Sequence, residues 1–218
     1  MKRRYKLLII IIISGVLAFL IFLNNRNNKI NIVVLGDAVS SGELSYRIDG
    51  ISYNDYIKEY FANKKLLKSY NDYFSYQGNN LTKLITDIDK NNKLIKQDLN
   101  QSNLITICIG EEELTKFAIT KDLNKESIDN YLKSYDFLLN NIKKISEGKI
   151  IIISLYENKY LNKRDIILIN SELSNIANKY DSIFININDL EKDYLNKDGY
   201  YFNYKTHKNI SDMIINTI

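Results

Sequence analysis

The chain has 218 residues, 30 Lys/Arg against 26 Asp/Glu, one His and one Cys, and neither Pro nor Trp. The basic excess lies in the first 29 residues, which hold six basic side chains and no acid, so residues 30–218 carry 24 basic against 26 acidic groups. That balance excludes the basic surface a nucleic-acid-binding domain needs, and the lone Cys108 excludes an intramolecular disulfide.

Lys2, Arg3, Arg4 and Lys6 precede an apolar run over residues 7–23, interrupted only by Ser14 and Gly15. A helix of that length is about 25 Å long, close to the hydrocarbon thickness of a bilayer. No small-x-small cleavage site follows in residues 24–29, so the run reads as an uncleaved anchor rather than a signal peptide. The basic cluster ahead of it places the N-terminus in the cytoplasm and the remainder outside a cell membrane crossed once. The expected organisation is a cytoplasmic tail (1–6), a transmembrane anchor (7–23), a juxtamembrane linker (24–29) and one domain (30–218).

The first strand is expected over residues 30–35. Ile32, Val33, Val34 and Leu35 are apolar and mostly β-branched, in a run too short for a helix, which suits a strand buried on both faces. Gly36 then permits a tight exit into the segment G-D-A-V-S-S-G, residues 36–42. Ser52 and Asp55 resemble a capping pair for a helix over 52–61, with Tyr53, Tyr56, Ile57, Tyr60 and Phe61 at helical spacing. A second strand over 68–76 breaks at Gln77-Gly78-Asn79-Asn80, and Leu81, Leu84, Ile85 and Ile88 continue as a helix. The third strand, 104–109, ends at Gly110 and three acids, Glu111, Glu112 and Glu113, which read as a solvated loop. A helix over 128–145 closes at Gly148, followed by a fourth strand (149–155), a helix (165–180), a fifth strand (182–187) and a last helix (209–215). Continuous apolar strands alternating with helices imply an α/β fold: a three-layer α/β/α, flavodoxin-like sandwich around a five-stranded parallel sheet. In such a sheet the first and third strands are neighbours, which brings Asp37 and Glu112 to its carboxyl edge, where open α/β sheets bind their ligands.

Residues 36–42 resemble the first signature block, G-D-S-x-x-x-G, of the SGNH (GDSL) esterase/lipase family. Gly78 resembles the oxyanion-hole Gly of the second block. Glu112 stands where the Asn of the G-x-N-D block completes that hole, and His207 stands where D-x-x-H places its base, with Tyr204 at the acid position. The resemblance implies the SGNH-hydrolase fold for residues 30–218 and, as the ancestral reaction, cofactor-free ester hydrolysis or deacylation of a lipid or acylated glycan. It also implies roles: Ala38 and Gly78 as backbone donors, His207 as the surviving base, Asp37 as chiefly structural. Ala38, however, occupies the nucleophile position and has no hydroxyl, an ionised Glu112 would set an anion beside a developing oxyanion, and Tyr204 supplies no charge to orient an imidazole. Three departures in three blocks point to a pseudoenzyme.

Substitute chemistries are thin. In a helix entered at residue 38, Ser40 lies about 200° around the axis and faces away, while Ser41, about 300° around, suits a local cap better than a nucleophile. Cys108, inside a strand, reads as a buried small hydrophobe, and His207, ahead of the last helix, divides between site and structure. Asp37 with Glu112 could take calcium or sugar hydroxyls, but no His/Cys cluster suits zinc and no Gly-rich phosphate loop suits a nucleotide. Two rivals to an esterase remain: a cell-envelope glycan- or lipid-binding module that uses the inherited cleft, and an assembly protein whose exposed Tyr side chains meet an unspecified partner.

Overall fold

The computed structural model describes residues 13–15, 29–45, 48–90, 92–190 and 195–218. The expected anchor over 7–23 lies outside the described residues apart from 13–15; among the described residues no helix is long and apolar enough to cross a membrane.

Five parallel strands form the main sheet: β1 (Ile30–Gly36), β4 (Leu67–Ser75), β5 (Leu104–Cys108), β6 (Lys149–Ile153) and β7 (Ile183–Ile185), in the order β4-β1-β5-β6-β7. This is the doubly wound order in which the second strand flanks the first, and its switch point falls between β1 and β5. Their register pairs Leu35 with Ile107 and Gly36 with Cys108, so both strands end level. A hairpin of β2 (Glu43–Ser45) and β3 (Ile48–Asp49) follows the short helix α1 (Ala38–Ser41).

Side chains of a strand alternate between faces, and the two cores divide accordingly. Val33, Leu35, Ile105, Ile107, Ile150 and Ile152 pack on one side against α3 (Leu81–Asp89), α4 (Lys93–Gln101), α6 (Lys125–Ile145) and α7 (Lys163–Lys179). Ile32, Val34, Leu104, Ile151, Ile153 and Ile185 pack on the other against α2 (Tyr53–Asn63) and α8 (Tyr204–Ile215). The three-layer sandwich expected from the sequence is therefore present. Its helices start where the sequence supplies caps: Ser52 and Asp55 close a reciprocal box on α2, and Asn80, Asn124, Asn162 and Asn203 each accept a backbone N–H of the first turn they precede.

Several expectations need correcting. Glu111, Glu112 and Glu113 do not form a solvated loop but open α5 (Glu111–Thr120), because acids in a first turn offset the exposed N–H dipoles. The last helix begins at Tyr204 rather than 209, which takes His207 into its first turn. Helix α6 ends on Ser146, not Gly148, whose missing side chain instead admits the Ser102 carbonyl: a Cβ there would lie 2.7 Å from that oxygen.

Candidate functional site

The site is built at the β1 and β5 ends. Gly36 is obligatory there: a Cβ would stand 2.2 Å from Ser40 Oγ and 2.3 Å from the Cys108 carbonyl oxygen. Asp37 follows as N-cap of α1, its Oδ1 accepting the Val39 N–H at 3.2 Å and its Oδ2 the Gly110 N–H at 3.0 Å, while its own N–H donates to the Cys108 carbonyl. One side chain thus ties the β1 exit, the start of α1 and the β5 exit together. Burial and the nearby Glu112 push its carboxyl up to about 7, against the N–H groups that it accepts.

Ala38, fully buried, has its N–H directed at Glu112 Oε1, 3.2 Å away. The other oxygen, Oε2, accepts the Gly78 N–H at 2.9 Å. Gly78 is in the left-handed region (φ 79°), and the turn it occupies is fixed by Asn79, whose buried amide donates to the carbonyls of Gly36 at 3.0 Å and Phe74 at 2.9 Å. The structure therefore joins four of the residues singled out in the sequence, Asp37, Ala38, Gly78 and Glu112, in one constellation. Both amides on which the resemblance relies for an oxyanion hole are filled by the Glu112 carboxylate. Burial raises the Glu112 pKa, and the two N–H groups oppose that rise. All four carboxyl oxygens of Asp37 and Glu112 accept a backbone N–H.

His207 is fully buried, with its ring parallel to Tyr53 (centroids 6.2 Å apart, 15° between planes) and edge-on to Phe202 at 5.6 Å. Its Nδ1 accepts the Tyr53 backbone N–H at 3.2 Å, and its Nε2 has no hydrogen-bond partner among the described residues. Burial pushes the imidazole down to about 4, with Asp55 acting in the opposite direction. Tyr204, at the acid position, is 51% exposed, and Nδ1, which an orienting acid would face, is already taken by Tyr53.

The serines are committed elsewhere. Ser40 Oγ donates to the Cys108 carbonyl at 3.2 Å and meets the Tyr53 hydroxyl at 2.9 Å; Ser41 Oγ donates back to the Ala38 carbonyl at 2.9 Å. Cys108 is buried in β5 and its thiol is pushed up by burial, so it is inert. Sequence reasoning missed Tyr53, Asn79 and Glu111. Glu111 is 1% exposed and accepts from Thr115 at 3.1 Å and from the Asn158 amide, and burial raises its carboxyl well above the usual range. Only the acid run itself signalled it, since the sequence does not say which of three successive acids turns inward.

Two clefts meet at Glu112. One, of about 640 Å³, is lined by Gly78, Asn80, Lys83, Glu113 and Lys116 besides Glu112; the other, of about 610 Å³, has Tyr160, Tyr200 and Tyr201 on its wall, with Lys116 and Lys159.

No family model and no curated protein matches the chain. Solved structures do. An acetylxylan esterase from Geobacillus stearothermophilus, in a catalytic-mutant form, is 15% identical with a TM-score of 0.65, over 86% of this chain and 93% of that one. A lipase from a goat rumen metagenome is 16% identical with a TM-score of 0.65, over 86% and 97%. TesA is 10% identical with a TM-score of 0.62, over 85% and 96%. These likenesses are of fold, and they support the SGNH-type hydrolase fold that the sequence blocks imply.

Proposed function

We propose that this is an extracytoplasmic, membrane-anchored hydrolase-fold domain whose inherited esterase site does not turn over esters. The observation that carries the reading is the Glu112 carboxylate bridging the Ala38 and Gly78 amides beside a residue 38 without a hydroxyl. Acyl transfer needs a nucleophile and vacant donors for the developing oxyanion, and losing one such donor ordinarily costs about a hundred- to a thousandfold in rate. Here both donors are already taken by the Glu112 carboxyl group. The apolar run at 7–23 with its basic flank supports anchoring and the outward orientation of the domain.

A binding role is the second reading, favoured by the cleft beside Glu112. Tyr160 and Tyr200 meet edge to face at 6.2 Å, and Tyr200 and Tyr201 at 4.7 Å, which makes an aromatic wall. An acetylxylan esterase and a lipase among the structural neighbours suggest acylated glycans and lipids as the ligand classes. The deciding experiment is short-chain ester hydrolysis by the full chain, beside binding of an acetylated xylo-oligosaccharide. No turnover with saturable binding is expected; turnover that His207→Ala abolishes would refute the reading.

A further inference from the structure

The single histidine is the group the loss of a nucleophile leaves unexplained, since an idle base has no reason to be fully buried. We propose that His207 is a positioning residue, an acceptor cap for the first turn of α2 locked in its Nε2–H tautomer, and that it is not a base. This deepens the reading of a silent site and rests on it.

A backbone N–H can only donate, so the Tyr53 N–H requires a lone pair on His207 Nδ1. In a neutral imidazole the proton then sits on Nε2, and in an imidazolium both nitrogens carry protons and the bond to Tyr53 is lost. A general base facing a hydroxyl needs the reverse: a lone pair on Nε2 and a proton on Nδ1 held by a carboxylate. Tyr53 is the first residue of α2, and its N–H belongs to the four that a helix start leaves unpaired. Ser52 Oγ takes the Asp55 N–H of that turn, and His207 takes the Tyr53 N–H from across the chain. Stacking on Tyr53 and the edge of Phe202 hold the ring in this orientation. The low pKa agrees with the geometry, because protonation would break the cap.

Because the chain has one histidine, a full-length sample labelled with ¹⁵N-histidine gives one imidazole signal set. Two-bond proton–nitrogen correlations at neutral pH are expected to show the Nε2–H tautomer; the Nδ1–H tautomer or an imidazolium would overturn the proposal. A second measurement is kinetic. A correctly held base ordinarily contributes about a hundred- to ten-thousandfold. Ala38→Ser combined with Glu112→Asn returns the hydroxyl and empties the hole; adding His207→Gln, which keeps an acceptor for the Tyr53 N–H, is expected to change the resulting turnover by less than about tenfold, and a larger fall would overturn the lock. Turnover by the unaltered chain would instead refute the silent-site reading, while the tautomer would still decide the role of His207.

Discussion

Replacing Asp37 by Asn and His207 by Gln is expected to tilt the pH dependence of stability in opposite directions. The buried Asp37 carboxyl is pushed from 3.8 up to about 7, so the folded chain keeps a proton that the unfolded chain releases. Its contribution is fully present below pH 3.8 and is lost as pH rises towards 7. The His207 imidazole is pushed from 6.5 down to about 4, so the unfolded chain takes up a proton that the folded chain refuses. That contribution is complete above pH 6.5 and is lost as pH falls towards 4. Within the shared window each displaced proton is worth about 1.4 kcal/mol per pH unit, or about 2 kcal/mol between pH 5 and 6.5. Glu111, Glu112 and Glu113, all raised chiefly by burial, act in the same direction as Asp37, so the unaltered chain should lose stability as pH rises. Asp37→Asn should flatten that slope by about 2 kcal/mol over the window and His207→Gln should steepen it by about as much. Urea unfolding at half-unit pH steps and constant salt reads the slope, which is insensitive to the acceptor that Asp37→Asn also removes. Slopes that move in the same direction, or do not move, would refute the protonation scheme.

Two further outcomes follow from the same region. Glu111→Gln keeps an oxygen for Thr115 and Asn158 and removes a buried charge, so its melting temperature relative to the unaltered chain should rise more at pH 8 than at pH 5; the reverse ordering would mean that Glu111 is ionised and well solvated. Gly36→Ala drives a methyl into the Cys108 carbonyl and should cost about 3 kcal/mol or more, whereas Gly78→Ala meets nothing within 4 Å among the described residues and should cost only about 1–2 kcal/mol for its positive φ, a contrast that thermal melts would settle.

Much of the framework was legible in the sequence because it rests on local signals. Runs such as Ile150 to Ile153 are strands by composition, and Ser52 with Asp55 or Asn80 ahead of Leu81 mark helix starts before any contact is known. What escaped depends on partners distant in the chain. The β2–β3 hairpin has strands of two or three residues, too short to show a period, and α4 carries mostly polar side chains around Ile95 and Leu99. The site divides in the same way. Gly36, Asp37, Gly78 and Gly110 could be placed by motif, since each serves a backbone bend. That Glu112 would lie across the Ala38 and Gly78 amides, or that the Tyr53 amide would take His207 Nδ1, depends on residues 34 and 154 positions apart meeting at the sheet edge. Sequence spacing carries no record of either.

The corner made by Gly36 and Asp37 has a bearing on how signatures of this kind should be interpreted. Gly36 is there because two chain segments touch, and Asp37 because three would otherwise come apart. Neither requirement mentions a substrate. A protein could therefore abandon its reaction and still be obliged to spell most of the motif, since what the letters encode is a shape. Reactivity is a separate and smaller message, written in one atom at residue 38 and in the identity of whatever lies against two amides.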